Sequence, residues 1–443
     1  MKKFDVLVVG SGAGLEVASF AAERGMSVAV VEEGPLGGTC LNRGCIPSKI
    51  LIHSADVAET IKKFGIKSKI ENIDFAAIVK RVSQVVDGDS SGIEKAIRQG
   101  NNPNLYKMRG KFIGPKLMQV GSEQIEADKV FIVGGTRPSI PPIPGLKDTP
   151  FLDSTKALRL EKQPEHLVII GGGYIAAELA HFYGSLGTKV TILVRGNIML
   201  SNEDEEIAQW FTKEFIKKHE ILFSTKVSSV SYHDEIFNIG LNDGKKLEAD
   251  QLLIVTGRIP NTDILNVKAT GVETDEKGYI KVNEYLETNV NGVFAFGDII
   301  GILPFRHTAN DQVSFAIRNA FTEKKIPVNY FAIGHAVFSS PQVGGVGKTE
   351  EELKKEGVSY KVGRAELKDT GMGGALQENG LAKVLADQEG NILGVHIVGP
   401  QASVLIHEAI VAMKANGTVS AITDSVYIHP ALPEWLQRAF FAI

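Results

Sequence analysis

Phe4-Asp5-Val6-Leu7-Val8-Val9-Gly10-Ser11-Gly12-Ala13-Gly14 is the stretch on which the fold turns. A short apolar run ends in glycines, residues 15–24 continue with helical spacing, and Val28-Ala29-Val30-Val31 leads to Glu32. Strand, glycine turn, helix and strand make a βαβ unit that suits a dinucleotide. Gly10 permits the tight bend, Gly12 lets a pyrophosphate reach the backbone, and the helix opening near Gly14 stabilises its charge. Glu32 lies 20 residues beyond Gly12, where a carboxylate accepts from ribose hydroxyls. Leu15 replaces the usual third glycine, which weakens the expected close packing of helix on strand.

The pattern recurs further along the chain. Residues 167–170 form an apolar run, Gly171-Gly172-Gly173 follows, and a helix over 174–186 leads to a strand over 190–194. Here Ala176 keeps a small residue at the third position, but the acid is missing. Counting from Gly25 to Glu32 and from Gly187 to Val194 gives seven steps in each repeat, so Val194 replaces the ribose-binding carboxylate and Arg195 follows it. An arginine pairs with a 2′-phosphate that a carboxylate would repel, so the second site leans towards NADPH over NADH.

Each unit later meets another apolar strand, ending in Arg137-Pro138 and in Gly257-Arg258-Ile259-Pro260. Prolines over 138–145 favour extended chain and predict a boundary near residue 148. The remainder predicts strands over 334–339, 381–386 and 392–398 and an amphipathic helix over 403–415. The expected organisation is 1–148, a first nucleotide domain; 149–265, a second; 266–326, a central segment completing the first; and 327–443, a separate C-terminal domain.

Composition narrows the function. Of 443 residues, 43% are hydrophobic and 23% charged, as in ordinary globular proteins. Glycine is over-represented at 46 of 443, against an average near 7%, without a collagen-like period. A net charge of −4 gives no basic footprint for nucleic acid. The apolar run after Met1-Lys2-Lys3 breaks too early for a signal peptide, and no run is long enough to span a membrane. A cytoplasmic, membrane-free protein is expected.

The two cysteines lie in Gly37-Gly38-Thr39-Cys40-Leu41-Asn42-Arg43-Gly44-Cys45-Ile46-Pro47-Ser48-Lys49. In a regular helix, α-carbons five residues apart stand roughly 8–9 Å apart, beyond the usual disulfide span. Bridging these cysteines needs irregular backbone, which Gly44 and the preceding glycine pair provide, while Pro47 suits an opening helical turn. A thiolate near that helix N-terminus would be stabilised. No metal site is expected, because His53 alone is too few additional ligands.

Residues 37–49 resemble the redox-disulfide signature of the class I pyridine nucleotide-disulfide oxidoreductases, which include dihydrolipoamide dehydrogenase, glutathione reductase, mycothione reductase and mercuric reductase. Three further motifs occur in the family's order. Thr288-Asn289 with Val293-Phe294-Ala295-Phe296-Gly297-Asp298 resembles its second FAD motif. Arg306-His307-Thr308-Ala309 is similar to the segment beneath the flavin ring. His429-Pro430-Ala431-Leu432-Pro433-Glu434 resembles the pair supplied by the partner subunit.

The resemblance implies an α/β fold with two Rossmann-like domains, binding FAD and NAD(P)H, and a C-terminal α+β dimerisation domain. It assigns FAD contacts to Gly10, Gly12, Gly14, Glu32, Thr39, Lys49, Asp298, His307 and Ala309. For the nicotinamide nucleotide it implies Gly171, Gly173, Tyr174, Ile175, Glu178, Arg195 and Gly257. Cys45 would face the flavin and Cys40 would exchange with substrate. Lys49 and Glu178 would form an ion pair beside the reactive flavin nitrogen. His429, oriented by Glu434, would shuttle the proton at the other subunit's Cys40, in a homodimer with shared sites.

With only two cysteines, the chain lacks the N-terminal metal-binding motif of mercuric reductases and the C-terminal redox pair of high-molecular-weight thioredoxin reductases. Leu41 and the Ile46-Pro47-Ser48-Lys49 ending resemble dihydrolipoamide dehydrogenase. Tyr174 resembles the nicotinamide-gating tyrosine of glutathione reductase, and Ala431-Leu432-Pro433 is closest to mycothione-reductase-like sequences. The expected partner is a small thiol or disulfide, with a lipoyl domain of a 2-oxoacid dehydrogenase complex as a further candidate. A flavin transhydrogenase or oxidase without disulfide chemistry is opposed by both cysteines being present.

Overall fold

The computed structural model describes residues 1–61 and 70–443. Val6, Leu7 and Val8 are fully buried in β1 (Lys2–Val9), as suits a parallel strand covered on both faces. There follow α1 (Gly14–Glu23), β2 (Val28–Val31), α2 (Gly38–Arg43), α3 (Cys45–Thr60) and α4 (Phe75–Gln99). Then come β3 (Asn104–Tyr106), β4 (Gly110–Gly114), β5 (Leu117–Val120), β6 (Glu123–Ile132) and β7 (Thr136–Pro138). The strand order is β3-β2-β1-β6-β5-β4, parallel from β3 to β6 and antiparallel beyond.

The second unit contains α5 (Ser154–Ala157), β8 (His166–Ile170), α6 (Tyr174–Ser185), β9 (Lys189–Leu193), α7 (Glu205–Phe215) and β10 (Glu220–Leu222). It continues through β11 (Val227–His233), β12 (Ile236–Leu241), β13 (Lys246–Ala249), β14 (Gln251–Ile254) and β15 (Arg258–Pro260). Its main sheet is parallel, in the order β10-β9-β8-β14, with β11-β12-β13 as an antiparallel sheet. β15 pairs antiparallel with β7, so the two proline-ended strands tie the units together. The chain then returns: β16 (Val293–Ala295) pairs parallel with β6, and α8 (Arg306–Phe321) packs into the same core.

The two nucleotide units repeat one close approach. Gly10 has φ +112, and a Cβ there would lie 2.4 Å from the Val133 carbonyl oxygen; Gly171 has φ +143, and its Cβ would lie 2.4 Å from that of Val255. Only glycine fits either turn. Close packing of α1 is achieved by Gly14, whose Cβ would sit 2.8 Å from Val8 Cγ1. The small residue is thus one position earlier than the expected site at Leu15, which packs against the core.

The C-terminal unit comprises β17 (His335–Val337), β18 (Gln342–Gly347), α9 (Glu350–Glu356), β19 (Lys361–Glu366), α10 (Gly371–Leu376), β20 (Leu381–Ala386) and β21 (Ile392–Gly399). Helices α11 (Ala402–Lys414), α12 (Val419–Thr423) and α13 (Pro433–Phe441) complete it. Its antiparallel sheet runs β17-β18-β21-β20-β19. The strand expected over 334–339 is shorter, and β18 and β19 were not anticipated. In β18, glycines replace strand-forming side chains on both faces: a Cβ at Gly344 would be 2.7 Å from the Ala402 carbonyl oxygen of α11, and one at Gly345 2.6 Å from the His335 ring. Buried Lys383 holds this unit to the second one, its Nζ 2.9 Å from Asp204 and 2.6 Å from Glu350. No helix among the described residues is long and apolar enough to cross a membrane.

Candidate active site

A cavity of about 510 Å³ is lined by Gly10, Gly12, Glu32, Thr39, Cys40, Cys45, Lys49, Asp298 and Ala309, with Tyr174, Ile175 and Glu178 also on its wall. Gly44 (φ −149, ψ −104) breaks the chain between α2 and α3, so Cys40 lies within the first helix and Cys45 opens the second. That break brings the thiols into hydrogen-bond contact. Pro47 falls in the first turn of α3, where its missing N–H costs nothing.

The pair is electrostatically unequal. The hydrogen bond from Cys40 and the nearby Lys49 ammonium lower the Cys45 thiol to about 7 against the opposing effect of burial. Cys40 is pushed up, chiefly by donating to Cys45 and by burial, and the Arg306 guanidinium opposes that shift. Cys45 is therefore the thiolate of the pair near neutrality.

Lys49 Nζ donates to both Glu178 carboxylate oxygens at 2.9 Å. Glu178 is buried on α6 and also accepts from the Phe338 backbone N–H at 3.1 Å. The ammonium lies 4.3 Å from the Phe338 ring centroid. Directly behind this pair, His181 Nε2 lies 2.7 Å from Asp56 Oδ1, and Ser185 Oγ donates to Glu59 at 3.0 Å. Helices α3 and α6 thus meet through three successive polar contacts.

At the other end, Glu32 accepts from Ser11 N and Oγ at 3.0 and 2.8 Å and from Gly34 N at 2.7 Å, holding the turn after β2. Ala13 gives α1 no side-chain cap, so its first amides retain donors for an anion. Asp298 accepts from Thr136 Oγ1 at 3.2 Å, and Arg258 Nε donates to the same hydroxyl at 2.8 Å. A glycine cradle beside free helix amides, a carboxylate at the ribose position and a lysine near the thiols fit an extended flavin dinucleotide.

Not every expected contact faces the cavity. His307 Nε2 is 2.7 Å from the Gly334 carbonyl oxygen and its ring stacks on Phe305, so its side chain turns away from the cavity lining while Arg306 and Ala309 face it. Gly14 also lies outside that lining, packed on Val133 and Val8, as do Gly171, Gly173, Arg195 and Gly257 on the second unit. Arg195 is exposed just beyond β9, next to Val194, which is buried. Gly173 and Gly257 face open space.

His429 Nδ1 lies 2.8 Å from Glu434 Oε1, and Glu434 Oε2 accepts from Ala431 N at 2.9 Å. These bonds, the backbone one first, hold the Glu434 carboxyl below its ordinary value. The His429 side chain is 74% exposed and does not line the cavity of its own chain. The sequence reading missed Thr136, Phe338 and Asp56. Of these, only Asp56 carried a signal, seven residues from Lys49 on the same helix.

Residues 4–320 match the pyridine nucleotide-disulphide oxidoreductase family and residues 333–440 its dimerisation domain. The chain is 33% identical to mycothione reductase of Mycobacterium tuberculosis, covering 100% of both. It is 35% identical to mitochondrial dihydrolipoyl dehydrogenase 1 of Arabidopsis thaliana, covering 99% of this chain and 90% of the relative. Among solved structures, the Cu(II) complex of the HOCl-induced flavoprotein disulfide reductase RclA of Escherichia coli superimposes with a TM-score of 0.90 at 28% identity, covering 100% and 99%. The chain therefore belongs to the pyridine nucleotide-disulphide oxidoreductases, a family whose membership implies the use of FAD and NAD(P)H.

Proposed function

We propose that this flavoprotein moves electrons between NAD(P)H, FAD, the Cys40–Cys45 pair and a small thiol or disulfide, in the manner of a dihydrolipoamide dehydrogenase. The observation that supports this best is the meeting in one cavity of two hydrogen-bonded thiols of unequal acidity with the Lys49–Glu178 pair. FAD, when bound there, supplies a two-electron carrier between nicotinamide and disulfide. Gly10, Gly12, the helix opening packed at Gly14, and Glu32 would hold its adenosine diphosphate half, Thr39 and Asp298 its middle, and the opening of α8 at Ala309 its ring end. Glu178 fixes the Lys49 ammonium where negative charge develops. Tyr174 and Ile175 line the nicotinamide approach, with Gly171, Gly173, Arg195 and Gly257 holding the rest of that nucleotide.

In the reductive direction, Cys40 gives its proton to the partner subunit's His429 and its thiolate attacks one sulfur of the substrate disulfide. The Cys40–substrate bond forms, the substrate S–S bond breaks, and the first thiolate leaves with the histidine's proton. Cys45, already a thiolate, attacks Cys40 Sγ, forms the Cys40–Cys45 disulfide and expels the second thiolate, which takes a proton from water. One disulfide gains two electrons and the dithiol loses two. Glu434 fixes the ring of His429 through Nδ1 and leaves Nε2 for the transfer.

The reading assigns 1–148 and 266–326 to the FAD domain, 149–265 to the NAD(P) domain and 327–443 to the dimer interface, in a cytoplasmic enzyme. A second reading, an NADPH-dependent reductase of a low-molecular-weight disulfide, is favoured by Arg195 standing exposed beside the apolar Val194. One relative is a mycothione reductase. Steady-state rates with NADH and NADPH against lipoamide and a panel of low-molecular-weight disulfides separate the two. Preference for NADH with lipoamide supports the first, and preference for NADPH with another disulfide supports the second. Turnover of no disulfide contradicts both.

A further inference from the structure

Arg306 is the first residue of α8 and lines the cavity, yet beyond its place in the motif that resembles the segment beneath the flavin ring it has been given no contact of its own. One terminal nitrogen of its guanidinium would lie 3.6 Å from a Cβ built on Gly12. The charge therefore hangs over the glycine turn itself, across from the uncapped opening of α1. The other basic groups on the cavity wall are engaged elsewhere. Lys49 pairs with Glu178, Arg109 with Glu33 and Arg137 with Asp263, while Arg258 is bonded to Thr136; Arg43 reaches back towards Gly34. Among the described residues, Arg306 has no carboxylate within ion-pair distance.

Backbone amides at a helix opening contribute only partial charge, whereas a diphosphate carries full negative charges that a guanidinium meets with directed, charge-assisted bonds. We infer that Arg306 is the cationic contact for the diphosphate of FAD beside the glycine turn. The inference rests on the reading that FAD occupies this cavity. It also explains why the first residue of α8 is a long cation where only a helix opening is required. The same guanidinium acts on Cys40, so it lies between the glycine turn and the redox pair.

The test uses the holoenzyme. FAD release on dilution is followed by the rise in flavin fluorescence for wild type, R306K and R306Q, at low and high salt. Loss of a charge-assisted contact predicts that R306Q binds FAD about 10- to 100-fold more weakly. R306K should fall between the two, and the salt dependence of release should be smaller in R306Q than in wild type. Release from R306Q matching wild type overturns the inference, as does equally fast, salt-independent release from both variants. If R306Q does not fold, R306M, which keeps the apolar stem, takes its place under the same criteria. A wild-type protein that carries no flavin and takes up none would instead overturn the FAD reading itself.

Discussion

At the scale of single residues, the proposed chemistry depends on keeping one thiol acidic and the other protonated until a base arrives. Lys49 supports the Cys45 thiolate by charge, so its removal shifts that thiol upwards from about 7. Lys49→Met should lower the thiolate fraction of the reduced enzyme at neutral pH. The pH dependence of ultraviolet thiolate absorbance measures this, and an unchanged titration would contradict the assignment. The cysteines, Lys49, Glu178 and the His429–Glu434 pair were legible in the sequence because each stands in a short motif with fixed spacing. Thr136 and Phe338 were not, since they reach Asp298 and Glu178 from distant segments of ordinary composition. His307 shows the converse: its motif was readable, but the helical phase that turns its ring towards Gly334 and Arg306 towards the cavity was not.

At the scale of elements, α3 and α6 carry the site together, and Glu59, which ties α3 to Lys218 just beyond α7 as well as to α6, has a predicted acid limit. Burial pushes Glu59 up, but the Lys218 hydrogen bond and charge, with His181 and Ser185, outweigh it and bring the carboxyl from 4.5 to about 2. A carboxyl depressed on folding stabilises the fold above its unfolded value, and that stability is lost as pH falls from about 4.5 towards 2. The melting temperature of wild type should therefore fall more steeply over that window than that of Glu59→Gln; parallel curves would contradict the Glu59–Lys218 pairing. The glycine-led βαβ units were readable because strand, turn and helix are consecutive. β18 was hidden because close packing erased its strand-forming residues, and this too is testable. Gly344→Val, forced against the Ala402 carbonyl, should cost about 1–3 kcal/mol in unfolding experiments. A neutral effect would show that α11 does not press on the sheet.

At the scale of the whole molecule, the proposed mechanism needs a second chain to complete the site. Val426 and Ile428 are 100% and 81% exposed just before His429, as suits a surface covered by a second copy. The match to a dimerisation domain supports a homodimer. Mixing Cys40→Ser and His429→Gln chains should restore activity, because each mixed dimer regains one of its two sites; no recovery would contradict shared sites. The large-scale plan was legible in the repeated glycine turns and the return of the chain at 288–298. Why His429 stands exposed, away from the thiols of its own chain, was legible only through the resemblance to a family of dimers. The central claim is that electrons from the nicotinamide nucleotide reach the Cys40–Cys45 pair. The chain has two cysteines, so its thiol count reports on that pair alone. Anaerobic reduction of the oxidised enzyme by NADPH or NADH, followed by denaturation and thiol counting, tests the claim most directly: the account predicts two new thiols per chain, and a reduced flavin with no new thiols would contradict it.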